Sequence, residues 1–332
     1  MPTRYYFPMK FIRIQVCFVM FAFSLIAMQA QVQAGPHRPS SVPQEYLITP
    51  FGYFHPTCVK HLKEGDTLLS DEGAIQHFDG SYDSFPACSY SHFRPDGTEV
   101  QNTEKYEPLV NDDSVWIENE YVTTNTSFGE LVAYWQVPSA PMTTADGQIV
   151  FFFPGMEQSP TPITIIQPVL AWNNDVDNGW TIASWNCCVK NIVSESTPMS
   201  VASGDTIRGI LKSTCGPGKL SCAAWYIATQ DLTSGKTTSF TRSSSDGQTF
   251  NVAYAGVLEE LNALQCSDFP TGGEITFYNL ALYDNNFNQI LSPSWTFGGG
   301  NPPTPNCVYN GVYNPQETPA QVTLYFAPPP IP

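Results

Sequence analysis

Basic residues are scarce in this chain. Lys and Arg number 14 against 30 Asp and Glu, for a net charge of −16. Phosphate backbones are held by clustered cations, and none occur here, so a nucleic-acid partner is excluded. Histidine is scarcer still. His37, His55, His61, His77 and His92 all fall before residue 100. A Ser or Cys hydrolase that needs an imidazole beside its nucleophile is therefore disfavoured over the rest of the chain, as is a His-ligated catalytic zinc. There is no CxxC, HxxxH or GxSxG spacing. Charged residues make up only 13% of the sequence, too few for solvated helix bundles. Past the first 34 residues no apolar run is long enough to cross a bilayer.

The first 34 residues do contain one apolar run. Arg4, Lys10 and Arg13 precede the apolar stretch 16–28, and Val32-Gln33-Ala34 offers compact residues before Gly35 and Pro36. This is the pattern of a cleaved secretory signal peptide, so the protein is expected outside the cell, free of the membrane. Nine cysteines are present. Cys17 would leave with the leader, and the remaining even number implies disulfides. Cys215 and Cys222 flank the turn Gly216-Pro217-Gly218-Lys219 and are expected to clamp a hairpin. Cys58 and Cys88 are the only two in the N-terminal part. Asn125-Thr126-Ser127 is a glycosylation sequon, usable in a eukaryotic secretory path.

Aromatic residues (13%), 29 Pro and 23 Gly point to strands and turns. Runs rich in Val, Ile, Thr, Tyr, Phe and Trp recur at 131–137, 148–153, 163–172, 180–185, 206–211, 223–231, 236–242, 251–261, 274–283, 294–297 and 313–326, separated by Gly, Pro, Asn, Asp and Ser. The expected fold is all-β, a two-sheet antiparallel β-sandwich of the lectin/glucanase (jelly-roll) type. The organisation read from the sequence is a signal peptide at 1–34, a loop-rich N-terminal segment at 35–125, a β-sandwich domain at 126–326 and a Pro-rich tail at 327–332. Residues 35–49 read as a flexible leader. The segment 35–125 is either a propeptide over the cleft or a permanent part of the fold.

Several stretches, in order, resemble the eqolisin (glutamic peptidase) family over residues 130–285. They are Tyr134-Trp135-Gln136-Val137-Pro138, residues 150–155, Thr164-Ile165-Ile166-Gln167-Pro168, residues 180–185, Ser203-Gly204-Asp205-Thr206-Ile207, and Gly256-Val257-Leu258-Glu259-Glu260-Leu261 followed by Ile275-Thr276-Phe277. Phe152, Phe153 and Pro154 stand where the family usually carries Trp and Asp. The resemblance implies a β-sandwich acid endopeptidase that needs no cofactor or metal. It implies Glu259 as the base that takes a proton from water and Gln167 as the amide that donates to the oxyanion.

The residues themselves add detail. On a strand, Ile163, Ile165 and Gln167 share a face, and so do Val257, Glu259 and Leu261. Glu260 then faces the other way and reads as the solvated acid. Glu157, after Pro154-Gly155, reads as a loop residue at the cleft mouth. It, with Trp172, Trp180 and Trp185, is a candidate substrate contact. A polypeptide substrate and a monomeric protein are expected. The rival reading is a secreted carbohydrate-binding or glycoside-hydrolysing sandwich acting on a polysaccharide, with Glu118 and Glu120, two residues apart on one strand face, as its carboxylate pair.

Overall fold

A computed structural model describes Met1 and residues 37–101, 116–160, 164–174, 178–189, 191–299, 307–315 and 320–328. The expected leader, the stretch 102–115 and the end of the Pro-rich tail lie outside the described residues. All the strands belong to one unit, Gln33–Pro332. No helix among the described residues is long and apolar enough to cross a membrane.

The chain is an all-β sandwich of two large sheets. One runs through Thr296–Gly299, Trp116–Thr123, Val252–Leu261, Ile149–Gln158, Thr164–Trp172, Trp180–Val189, Ile192–Ser196 and Val59–Leu62. The other centres on Glu274–Asp284, Phe128–Gln136, Thr206–Ser213, Cys222–Asp231 and Lys236–Gln248. The two sheets differ in patterning for a physical reason. Thr206–Ser213 alternates buried and partly exposed residues, as a strand with one wet face does. Val252–Leu261 and Thr164–Trp172 are buried at every position, which requires cover on both faces.

The inner cover is the sandwich core, with Phe152, Leu170, Trp172, Trp180, Leu258 and Phe277 in one cluster and Met156, Ile166, Trp225 and Phe240 in another. The sheets approach closely at Gly209, where an added Cβ would lie 2.5 Å from the Pro168 ring. The outer cover comes from the N-terminal segment. Val42, Tyr46, Ile48, Phe51, Tyr53 and Phe54 pack in one cluster with Phe151, Phe153, Val169, Trp185, Tyr254 and Val257. Burying each such side chain stabilises by about 1.5–3 kcal/mol, so the stretch read as a flexible leader is instead docked, and strand begins at Leu47.

The same segment also extends both sheets. Val59–Leu62 runs parallel to Ile192–Ser196, and Thr67–Leu69 runs parallel to Lys236–Gln248. Cys58 pairs with Cys88 and Cys215 with Cys222, as the sequence suggested. Cys187 pairs with Cys188, and Cys266 with Cys307.

Three strand boundaries differ from expectation. The strand read as stopping at Pro154-Gly155 continues to Gln158. The final stretch is a hairpin of Val308–Asn314 and Gln321–Ala327 rather than one strand. Trp116–Thr123 is a sheet member, so the sandwich begins before residue 126. Asn125, the sequon residue, is exposed in the turn that follows it.

Candidate active site

The strand Val252–Leu261 changes face partway. Phe153 pairs with Val257, but Gly155 pairs with Tyr254, so Ala255 and Gly256 together oppose Pro154. This bulge puts Tyr254 on the same face as Val257 and Glu259, although their numbers have opposite parity. The register across three strands then defines rows on the outer face. One row is Trp185, Gln167, Gly155 and Tyr254. The next holds Cys187, Ile165, Glu157 and Val252. A third, on the far side, holds Ala171, Phe151, Glu259 and Trp116.

Gln167 is fully buried, and neither atom of its amide has a hydrogen-bond partner among the described residues. Gly155 forms the floor beside it. A Cβ there would stand 3.7 Å from Gln167 Cγ and 3.6 Å from the Tyr254 ring. The Tyr254 hydroxyl donates to Glu157 Oε2 at 2.7 Å. Glu157 is diagonal to Gln167 across one strand pair, a relation that brings backbones within roughly 7–8 Å. Burial pushes the Glu157 carboxyl up to about 7, against the Tyr254 hydrogen bond that favours the ionised form.

Glu259 is on this face too and fully buried. Burial holds its carboxyl well above the usual range, the charge of Glu260 adds to this, and the Trp116 indole opposes it. Its row is four residues along the strand from that of Gln167 and two strands away. At about 3.3 Å per residue and 4.8 Å per strand, the two are on the order of 15 Å apart. The structure therefore brings Gln167 together with Glu157 and Tyr254, and leaves Glu259 at the far end of the same face.

Other expectations need correcting. Glu157 lies in a strand and is buried, not at a loop mouth. Trp185 lies on the outer face and meets Phe51 edge-on at 6.4 Å. Trp172 and Trp180 point the opposite way, into the sandwich core, where they pack against each other. Glu260 is buried rather than solvated. It accepts from the Ala263 N–H at 2.6 Å, and burial raises it to about 8. Glu118 and Glu120 do share a face, but it is the inward one, opposite Leu258 and Gly256. Burial raises Glu118 to about 9 and Glu120 to about 7.

Sequence reasoning missed Tyr254, Trp116 and Gly155. The signal was the pair of glycines, Gly155 and Gly256, inside two apolar runs, since glycine within a strand marks a bulge or a close approach.

No family model matches the chain, and no curated protein matches it. Solved structures do. One is SCP-B, a member of the eqolisin family of peptidases, in complex with the tripeptide Ala-Ile-His, at 16% identity and TM-score 0.45, covering 64% of this chain and 98% of that one. Another is scytalido-glutamic peptidase with a transition state analog inhibitor, at 15% identity and TM-score 0.44, covering 64% and 98%. Aspergilloglutamic peptidase from Aspergillus niger is similar at 14% identity and TM-score 0.36, covering 54% and 99%. The distant resemblance to eqolisins expected from the sequence is thus met among solved structures.

Proposed function

We propose that this chain is an exported endopeptidase of the glutamic type, acting in acid on polypeptides, and that the outer face around Gln167 is its reaction centre. The observation that carries the reading is the Gln167 amide, fully buried with neither polar atom matched among the described residues. Leaving a buried donor or acceptor unmatched costs about 1–3 kcal/mol, and such a cost is typically retained where a site needs the group.

Peptide hydrolysis would proceed as follows. A carboxylate on this face takes a proton from water, and the hydroxide oxygen bonds to the scissile carbonyl carbon. The carbonyl oxygen becomes an oxyanion and accepts from the Gln167 amide. The carboxylic acid then gives its proton to the amine nitrogen as the C–N bond breaks, so the carboxylate is regenerated. Trp185, on the same row as Gln167, would contact a substrate residue.

In this reading the N-terminal segment is a propeptide-like cover, because Phe51, Tyr53 and Phe54 occupy the face that a substrate would need. Acid incubation of the full chain, followed by intact-mass measurement, tests this. The expected result is loss of a fragment that includes residues 42–54 and ends before Cys58, whose disulfide to Cys88 would otherwise retain it, with casein cleavage beginning as it is lost. A chain that stays intact and inert on casein from pH 3 to 6 contradicts the reading.

A further inference from the structure

We propose that Glu157, held by Tyr254, is the carboxylate that works with Gln167. The inference rests on the peptidase reading above and changes its base from Glu259. Three independent features of geometry carry it.

The first is distance. Glu157 is the diagonal neighbour of Gln167 across a single strand pair, while Glu259 is two strands and four rows off. A base and an oxyanion donor must serve one carbonyl group, so a reacting centre about 3 Å from each needs them within a few ångströms of one another. Glu157, one diagonal from Gln167 on the same face, is near enough for both side chains to reach one carbonyl group, and Glu259 is not.

The second is space. Gly155 has no side chain, and a Cβ there would stand at van der Waals distance from both Gln167 Cγ and the Tyr254 ring. Gln167 and Tyr254 therefore flank a floor made of backbone, with Glu157 two residues further along the same strand. Around Glu259 the neighbours are Phe151, Val257 and Leu261, with Trp116 on the next strand. Bulky apolar groups there leave no comparable floor.

The third is orientation. The Tyr254 hydroxyl donates to Glu157 Oε2 at 2.7 Å, which fixes one carboxylate oxygen and leaves the other for water. Glu259 instead has the Trp116 indole, whose hydrogen bond favours its ionised form, at the far end of the face and away from Gln167. Tyr254 is thus a positioning residue. With the cover gone, water reaches Glu157, the burial that raises it is relieved, and it is ionised in mild acid.

The test compares kcat/KM on an internally quenched peptide for the full chain after acid incubation, across pH 3–7, with melting temperatures recorded in parallel. Glu157→Gln is expected to lose at least about 100-fold, the scale of a general base, and Glu259→Gln to stay within about fivefold of wild type. Tyr254→Phe removes a bond that favours the ionised carboxyl, so its acidic limb is expected to move to higher pH, which a purely structural role would not produce. If Glu157→Gln does not fold, Glu157→Asp, which draws the carboxyl back by one methylene, is expected to lose at least about tenfold. Loss in Glu259→Gln with Glu157→Gln active overturns this assignment and leaves the peptidase reading standing. Loss in both folded variants also overturns it. Wild-type chain that cleaves nothing overturns the reading and the assignment together.

Discussion

Gln167 shows how one side chain can sit at odds with its surroundings. Ile165, Val169 and Ala171 share its face and are apolar. Replacing it by methionine, of similar length and without polar atoms, removes two unmatched groups. Gln167→Met is expected to stabilise the fold by about 1–3 kcal/mol, a rise of several degrees in Tm for a domain of this size, while abolishing peptide cleavage. A fall in Tm on a thermal melt would mean that the amide is satisfied. Glu259→Gln carries a similar expectation with a pH signature. The carboxyl is raised in the folded state, so the variant gains Tm at pH 7.5 and is close to neutral at pH 4.5, where the wild-type acid is already protonated. At this scale the sequence was readable in part. The face of Gln167 and the placing of Glu259 and Glu260 on opposite faces followed from two-residue periodicity, but Glu260, read as the solvated acid, is buried on the inward face. The place of Glu157 did not follow, because Pro154-Gly155 reads as a stop when the neighbouring strand is unknown, and only the facing Gly256 reveals it as a bulge.

At the scale of elements, the floor at Gly155 and the edge strand Val59–Leu62 each make an expectation. An alanine at Gly155 fits at ordinary contact distances, so Gly155→Ala is expected to fold with Tm near wild type. Its methyl projects between Gln167 and Tyr254, and the expected loss of peptide cleavage is tenfold or more on the scale of a misplacement of about 1 Å. Full activity would move the reaction centre elsewhere. The edge strand is tied by His61 Nδ1 to Glu195 Oε2 at 3.2 Å. The hydrogen bond to Glu195 raises the His61 imidazole above its ordinary 6.5, against desolvation. A base raised in the folded state contributes stability that is fully present below its unfolded pKa and is lost as pH rises through the folded one. His61→Ala is therefore expected to lower Tm near pH 5.5 and to have little effect at pH 8.5. The reverse order would show that the pair does not form.

These edge additions were beyond the sequence. Val59–Leu62 and Thr67–Leu69 are only four and three residues long, and parallel pairing to distant edges leaves no local turn signal. The longer strands were legible because each carries its own alternation or apolar run and is bounded by Gly, Pro or Asn.

For the whole molecule, the distribution of buried acids sets a pH preference. Glu118, Glu120, Glu157 and Glu260 rise from the ordinary 4.5 to about 9, 7, 7 and 8, and Glu259 rises well above it, with burial the leading cause each time. The folded state holds these protons more tightly than the unfolded state does. Between the two pKa values of each group, stability falls by about 1.4 kcal/mol per pH unit. The fold is thus expected to melt at clearly higher temperature at pH 4.5 than at pH 7.5. A Tm maximum at neutral pH would contradict this. The low count of cations and the lack of histidine beyond residue 100 were readable at once; the expectation that every histidine lies outside the sandwich was not met, because His61 joins it on the edge strand Val59–Leu62. That Gln167, Glu157 and Tyr254 share one covered face was not readable, since it depends on the bulge opposite Pro154 and on the segment that covers it. The most direct measurement is casein hydrolysis near pH 4 by the acid-incubated full chain, beside Gln167→Ala prepared identically. Turnover in the wild type and its loss in a folded variant is the expected result; equal turnover in both would contradict a reaction centre built on Gln167.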